Sequence, residues 1–195
     1  LLIGDSISMG YTLPVRKLLE GKANVHRIPE NGGPTSNGVK KISAWLDAGK
    51  WDVIHFNWGL HDLKYVLDGD PNTIVDVKTP NSHYQVTLAD YEKNLTTLVE
   101  QLKKTGAKLI WATTTPVPMG GNLAPNRRFD SVDKYNAIAA RVMAELGVAT
   151  NDLNAAIAPH VGKLGRPNDV HFSSEGSAFL GREVVRSVTA QLSAR

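Results

Sequence analysis

Short apolar segments alternate along the whole chain with segments whose apolar residues recur every three or four positions. The first kind is typical of buried strands and the second of amphipathic helices. The segments predicted as strands are Leu1–Ile3, Asn24–Ile28, Val53–Phe56, Lys108–Thr113 and Val148–Thr150. This alternation predicts an α/β fold with a mostly parallel sheet.

Three helices are predicted with defined ends. One runs from the capping residue Thr87 to a stop before Gly106, and a second begins at Asp130 and stops at Gly147. A third begins near Ser174. In each of them the apolar side chains recur at helical spacing, and we assign these side chains to the core.

Two segments are too long and too polar to be simple connections between these elements. They are Leu63–Val86 and Thr114–Phe129, and both leave the carboxyl ends of predicted strands. Long loops in a compact domain are usually functional, and open α/β sheets bind ligands at this edge. We therefore expect the functional site there.

The composition limits the classes of protein that the chain can represent. Its 195 residues fit a single domain spanning 1–195, and 42% hydrophobic with 21% charged residues is ordinary for a globular protein. No apolar run approaches the roughly 20 residues of a membrane span. The net charge is only +3 and the basic pairs are scattered, so we expect neither a nucleic-acid nor a membrane partner. Without cysteine, the chain has no disulfide, thiolate ligand or cysteine nucleophile.

The chain begins abruptly. Its first residues, Leu1–Ile3, have the character of a buried strand, so we expect further residues upstream, with a signal peptide as one option. This favours a secreted or periplasmic location, with the cytoplasm as the alternative.

Three short segments carry the residue types of a covalent catalyst. In GDSI, at residues 4–7, a serine follows the first strand and precedes a helix. In NDVH, at residues 168–171, a carboxylate two residues before a histidine can orient that ring as a general base. GLHD, at residues 59–62, follows the third strand. In a doubly wound sheet with strand order 2-1-3-4-5, strands one and three are neighbours, so Ser6 and His61 would face one crevice.

Together these segments resemble the SGNH hydrolases, also called GDSL esterases and lipases, and the resemblance covers essentially the whole chain. It implies a three-layer, doubly wound parallel sheet of five strands in flavodoxin-like order, and a serine hydrolase without a cofactor. By this resemblance Ser6 is the nucleophile and His171 the base. The oxyanion hole consists of the backbone N–H groups of Ser6 and Gly33 and the side chain of His61, with Gly32 as the alternative register for the glycine.

Two positions depart from the family's pattern. In the family motif that corresponds to GLHD, an asparagine donates to the oxyanion, and this position is His61 here. An imidazole can donate from one ring nitrogen if Asp62 or a nearby carbonyl holds the other. The family's triad acid lies three residues before the histidine, where this chain has Asn168. Two interpretations are open: Asp169 orients His171, which we favour, or a backbone carbonyl does so in a Ser-His dyad.

Other function classes fit the sequence less well. An α/β-hydrolase requires a Gly-x-Ser-x-Gly elbow well inside the chain, and the segment around Ser6 lacks the second glycine. A metal hydrolase would draw on His55, His61, Asp62, His83 and His171, but these residues show no metal-ligand spacing. His55 falls in mid-strand, where we expect a core histidine. The alternatives within the resemblance are a non-catalytic carbohydrate-binding relative and an arylesterase, thioesterase or lipase.

Residues near the expected crevice indicate a substrate class. Trp58 directly precedes GLHD, while Tyr65 and Arg127 lie in the two long loops, so we predict that all three bind substrate. Aromatic and basic side chains suit a sugar ring or an acidic polysaccharide, whereas a lipase would expose a larger apolar surface. We therefore expect a small-molecule or carbohydrate ester with a short acyl group such as acetyl.

Overall fold

The computed structural model describes residues 1–47, 49–118 and 126–193. The strands are β1 (Leu2–Ile3), β2 (Val53–Phe56), β3 (Tyr65–Leu67), β4 (Asp70–Ile74), β5 (Ser82–Tyr84), β6 (Lys108–Ala112) and β7 (Ala149–Asn151). The helices are α1 (Ser6–Leu18), α2 (Thr35–Leu46), α3 (Leu88–Lys103), α4 (Ser131–Glu145), α5 (Leu153–Ile157), α6 (Val161–Leu164) and α7 (Ser174–Ser193), with a 3₁₀ turn at Ala158–His160.

Parallel strands form the central sheet of the described chain, in the order β1-β2-β6-β7. Ile3 lies opposite Phe56, and Phe56 lies opposite Trp111, so these strands end at the same edge. Helix α1 packs against α7, while α2, α3 and α4 form a second packed row. Every residue of β2 is buried, as expected for a parallel sheet covered on both faces. The predicted α/β fold is confirmed.

The sheet differs from the prediction in its second strand. Asn24–Ile28 forms no strand and pairs with β1 only through a parallel bridge between Leu2 and Arg27. The segment does lie beside β1, as the order 2-1-3-4-5 requires, because the Leu2 N–H donates to the carbonyl of His26 at 2.8 Å. Pro29 follows directly and has no N–H with which to extend the pairing. The central sheet therefore has four strands in the described residues rather than five.

The three predicted helices form with nearly the expected ends. Thr87 caps α3, since its Oγ1 accepts a hydrogen bond from the Asp90 N–H at 3.2 Å. After α3 and α4 the chain turns at Gly106 and Gly147, whose φ angles of +73° and +65° suit glycine. Helix α7 begins at Ser174.

The segment Leu63–Val86 contains a small antiparallel sheet that the sequence pattern did not predict. Its strand order is β4-β3-β5, and all five residues of β4 are exposed. Strand β4 contains aspartate, proline and asparagine, which are depleted in strands, so its pattern favoured a loop. In the second long segment, Thr114–Phe129, residues 119–125 lie outside the described residues.

Helices that cross a membrane are long and continuously apolar. Over residues 1–47, 49–118 and 126–193, no helix is both long and apolar enough to cross a bilayer.

Candidate active site

Ser6 is the first residue of α1 and lies just beyond β1. Asp5 caps the helix, since its Oδ1 accepts a hydrogen bond from the Ile7 N–H at 2.9 Å. No group in the described residues accepts from the backbone N–H of Ser6, so this donor is free at the helix N-terminus. Gly4 permits the tight turn, because a Cβ there would lie 3.1 Å from the Cβ of Ser8. The turn therefore presents a hydroxyl and a free N–H together.

Arg27 stabilises the serine turn, which is the turn at residues 4–6 that carries Ser6. Its guanidinium donates to the carbonyl oxygens of Gly4 at 2.9 Å and Asp5 at 3.3 Å, and to Ser8 Oγ at 3.1 Å. It also donates to the carbonyl of Glu30 at 2.9 Å, which joins the turn to the loop before α2. This role of Arg27 was not predicted from the sequence. A charged residue between the apolar positions Val25 and Ile28 of a predicted strand is the signal that could have identified it.

His171 lies between Ser6 and Asp169 in one hydrogen-bonded chain. Ser6 Oγ is 2.7 Å from His171 Nε2, and the Nδ1 atom of that ring is 2.6 Å from Asp169 Oδ1. Asp169 Oδ1 also accepts from the backbone N–H of His171 at 3.3 Å. Of the two interpretations of the sequence, this geometry matches the one in which a carboxylate, rather than a backbone carbonyl, holds the ring.

The loop before α7 explains why this carboxylate lies one residue closer to the histidine than in the family's pattern. Gly165 and Phe172 form an antiparallel bridge, so the residues between them fold back as a tight loop. Asn168 turns the chain with a φ of +57°, a left-handed conformation that asparagine tolerates better than most residues. The next residue, Asp169, then has its side chain against His171.

The charge of Asp169 decides where the protons of His171 lie. Burial raises the pKa of Asp169, but the hydrogen bonds from His171 outweigh it and hold the pKa below its ordinary value. An ionised carboxylate only accepts hydrogen bonds, so Nδ1 of His171 carries the hydrogen and Nε2 presents its lone pair. The Ser6 hydroxyl therefore donates to Nε2, as a general base requires.

Two glycines before α2 approach the serine turn. The Gly32 N–H donates to the carbonyl of Gly4 at 3.0 Å, so it is committed to the backbone. The Gly33 N–H donates to Asn31 Oδ1 at 2.9 Å. A side chain can rotate away more readily than a backbone carbonyl. Of the two registers considered, Gly33 is therefore the better placed to donate to a substrate oxygen.

His61 follows β2, in the turn formed by GLHD. Burial lowers the pKa of its imidazole to about 3, and the positive charges of Lys64 and Arg127 contribute, so the ring is neutral. Its Nδ1 lies 3.2 Å from Lys64 Nζ. The expectation that Asp62 or a nearby carbonyl holds this nitrogen is wrong, because the partner is an ammonium group.

Asp62 is fully buried and binds helix α2 instead. Its Oδ1 accepts hydrogen bonds from the Thr35 N–H at 2.8 Å and the Thr35 hydroxyl at 2.5 Å. Its Oδ2 has no hydrogen-bond partner in the part of the chain that is described. Burial raises the pKa of this carboxyl to about 7. Asp62 therefore joins the turn that carries His61 to the helix that follows Gly33.

Trp58 lies in the core and not on the wall of the crevice. Only 1% of its surface is exposed. Its ring packs directly against Gly38, where an added Cβ would lie only 2.7 Å from Trp58 Cζ2. Its carbonyl accepts hydrogen bonds from the hydroxyls of Tyr91 at 2.9 Å and Thr114 at 3.1 Å. The prediction that Trp58 binds substrate is therefore corrected: it positions the GLHD turn from below.

Tyr65 and Arg127 lie in the long segments beside the crevice. The Tyr65 ring packs edge-on against Tyr84, with centroids 5.0 Å apart. Arg127 donates from Nε to the carbonyl of Leu60 at 2.7 Å, and burial lowers its pKa to about 10. Arg127 is thus fixed to the residue before His61. Substrate binding by Tyr65 and Arg127 stays a prediction.

The other histidines considered from the sequence have separate surroundings. His55 is buried in β2, where its Nε2 accepts from Asn151 Nδ2 at 3.2 Å. His83 is exposed, and its Nδ1 lies 2.6 Å from Asp68 Oδ1. In residues 1–47, 49–118 and 126–193, no three histidine or acidic side chains are grouped as ligands of one ion.

The sequence profile of the GDSL-like lipase/acylhydrolase family matches residues 2–179. The chain belongs to this family. No curated protein sequence matches it.

Several solved structures share the fold of this GDSL-family chain. It is similar to the lipase/acylhydrolase from Enterococcus faecalis, with 20% identity and a TM-score of 0.71 over 97% of this chain and 95% of that one. It is also similar to the acetyl xylan esterase AlAXEase, with 16% identity and a TM-score of 0.71 over 96% and 98%. A variant of an acetyl xylan esterase from Geobacillus stearothermophilus has 20% identity and a TM-score of 0.71 over 96% and 92%. Likeness at these identities establishes a common fold.

Proposed function

We propose that the protein is a serine ester hydrolase that forms an acyl-enzyme and removes short acyl groups, such as acetyl, from carbohydrates or other small esters. The observation that carries the proposal is the chain of hydrogen bonds from Ser6 Oγ through His171 to Asp169, at 2.7 Å and 2.6 Å. Membership of an acylhydrolase family supports the same chemistry.

The first half of the reaction forms the acyl-enzyme. Ser6 Oγ attacks the ester carbonyl carbon while His171 Nε2 takes the hydroxyl proton. The C–O bond to the alcohol then breaks, and the imidazolium returns this proton to the departing oxygen. Asp169 keeps the ring in the tautomer that accepts at Nε2 and stabilises its positive charge.

The second half regenerates the enzyme. A water molecule gives a proton to His171 Nε2 and attacks the acyl carbon. The acid leaves as the bond to Ser6 Oγ breaks, and the imidazolium returns the proton to that oxygen. In both halves a negative oxygen develops on the acyl group. The donors that we assign to it are the backbone N–H groups of Ser6 and Gly33 and the His61 side chain, with Asn31 releasing the Gly33 N–H.

The substrate class rests on the surroundings of the serine. Strand β4, in the segment Leu63–Val86 beside the crevice, is exposed over all five residues, and Ile74 is the one large apolar residue among them, which is little surface for a fatty chain. Arg127 and Lys64 add positive charge beside His61. Two of the structures similar in fold are acetyl xylan esterases by name. These observations favour a short acyl group on a polar alcohol.

Hydrolysis of p-nitrophenyl acetate and of acetylated sugars tests the proposal. We expect turnover that a serine-directed phosphonate blocks and EDTA does not, and that Ser6→Ala abolishes at an unchanged melting temperature. A panel of acyl lengths should show a preference for acetyl. Substantial turnover by Ser6→Ala would contradict the nucleophile. No turnover of any ester by the wild type would favour a non-catalytic carbohydrate-binding relative.

A further inference from the structure

His61 can serve an oxyanion only from a ring nitrogen that carries hydrogen. A neutral imidazole carries one hydrogen, on Nδ1 or on Nε2, and its other nitrogen presents a lone pair that would repel a negative oxygen. An asparagine amide at this position would have no such ambiguity. Because histidine replaces the family's asparagine here, another residue must determine which ring nitrogen carries the hydrogen.

The turn after His61 brings one residue against the ring. Leu63 is buried, and its N–H donates to the Gly59 carbonyl at 3.0 Å, which closes the turn. The Lys64 N–H donates to the His61 carbonyl at 3.2 Å, and the Lys64 carbonyl accepts from Gln85 at 2.6 Å. With its backbone fixed on both sides, Lys64 has its Nζ 3.2 Å from His61 Nδ1.

We propose that Lys64 is a positioning residue that holds His61 in the tautomer with hydrogen on Nε2, so that this nitrogen donates to the oxyanion. An ammonium group carries three donors and no acceptor, so the nitrogen facing it must present a lone pair. The hydrogen of the ring is then on Nε2. Nothing in the described residues accepts a hydrogen bond from that nitrogen, so it is available to substrate.

The charges around the pair are consistent with this arrangement. Besides Lys64, the groups that face His61 are Arg127, from the segment before α4, and His171, from the loop before α7. They disfavour a charged imidazole. Burial lowers the pKa of Lys64 to about 8, with Arg127 lowering it and Asp5 raising it. Above that pH the amine can also accept a hydrogen bond, and the ring is no longer restricted to one tautomer.

The tautomer is measurable without any substrate. Long-range ¹H–¹⁵N correlation spectra of histidine-labelled protein distinguish Nδ1–H from Nε2–H rings. At pH 7 we expect His61 as the Nε2–H form in the wild type and in Lys64→Arg, and a mixture of both forms in Lys64→Met. An Nδ1–H ring in the wild type, or an unchanged ring in Lys64→Met, would overturn the proposal whatever reaction the protein catalyses.

The catalytic consequence rests on the proposed esterase function and is tested by a double-mutant cycle. Lys64→Met should lower kcat about tenfold. This is less than the roughly 10² to 10³ for losing one oxyanion donor outright, because some of the His61 rings keep the hydrogen on Nε2. In a His61→Asn background, where an amide donates without a tautomer, the same change should cost less than about twofold. Lys64→Arg should keep kcat within about threefold at pH 7.

The pH profile and a matched control complete the test. In the wild type kcat should fall as pH rises through about 8, the pKa of Lys64, and this fall should be absent in Lys64→Arg and in His61→Asn. Lys78→Met, which removes an exposed lysine elsewhere in the same segment, should leave kcat unchanged. Equal losses from Lys64→Met in both backgrounds would mean a structural role and contradict the proposal.

Discussion

Two histidines lie in the crevice, and each is held by a charged residue of its own loop, but the two partners carry opposite charge. Asp169 accepts from Nδ1 of His171 at 2.6 Å, whereas Lys64 donates to Nδ1 of His61 across 3.2 Å. The acceptor leaves a lone pair on Nε2 of His171, and the donor leaves a hydrogen on Nε2 of His61.

This difference shows that the neighbouring charged residue, and not the imidazole itself, determines the role of each histidine. The same side chain is suited to take a proton at position 171 and to donate a hydrogen bond at position 61. Burial strengthens the contrast: the His171 side chain is 38% exposed, while burial keeps His61 neutral with a pKa of about 3. A histidine that never charges is a poor base at neutral pH but a stable donor.

The largest expected effect comes from making the same substitution at both histidines. An asparagine amide donates hydrogen bonds but cannot serve as a base, so His171→Asn should lower kcat by about 10⁴-fold or more. His61→Asn should retain kcat within about tenfold, because it restores the family's donor. Measuring kcat of both variants on p-nitrophenyl acetate decides the matter. Comparable losses at the two positions would break the contrast.

Replacing the hydrogen-bond acceptor of His171 by a donor should have the next largest effect on kcat. In Asp169→Asn the new amide can donate to Nδ1, which puts the hydrogen on Nε2 and gives His171 the tautomer of His61. We expect kcat to fall by about 10³ to 10⁴-fold. Asp169→Ala, which removes the partner without reversing it, serves as the comparison. A loss of less than about tenfold in Asp169→Ala would instead favour a Ser-His dyad.

The smallest effect on catalysis is expected at Asp62, the carboxyl next to His61 that does not hold it. Asp62→Asn keeps an oxygen that can accept from Thr35, so kcat should stay within about threefold. A tenfold loss would show that Asp62 acts on the His61 ring after all.

The same variant should change the pH dependence of stability. Burial raises the Asp62 pKa from 3.8 to about 7, so between these values the folded state binds a proton that the unfolded state releases. Stability from this group is fully present below about pH 4 and is lost as pH rises through 7. Relative to Asp62→Asn, the wild type should lose about 2–4 kcal/mol between pH 4 and 8 in urea unfolding. A difference that does not vary with pH would contradict this.

The sequence was most informative where structure depends on neighbours in the chain. Capping at Thr87 and the stops at Gly106 and Gly147 follow from local backbone chemistry, and the structure has them. The antiparallel sheet of Leu63–Val86 was missed because its residues disfavour strands individually. Long-range hydrogen bonds stabilise this sheet, including the one that the Tyr65 N–H donates to the Asn126 carbonyl at 2.8 Å.

The same distinction between local and long-range contacts applies to the site residues. The two-residue spacing of Asp169 and His171 allowed their contact to be predicted. The depth of Trp58 was not predictable, because it depends on the packing of Gly38 from α2. The roles of Arg27 and Lys64 were not predictable either, since both depend on where a turn directs a long side chain.

By itself, the sequence determined the alternation of strands and helices, the positions of most of their ends, and the pairing of an acid with a histidine in one loop. These features depend on hydrophobic period, capping and spacing, which act over a few residues. Only the tertiary structure decided that Ser6 meets His171 across 165 positions, that Arg27 clamps the serine turn and that Asp62 binds Thr35. Contacts between distant segments depend on the register of the sheet and the packing of every helix between them, and no local pattern carries that information.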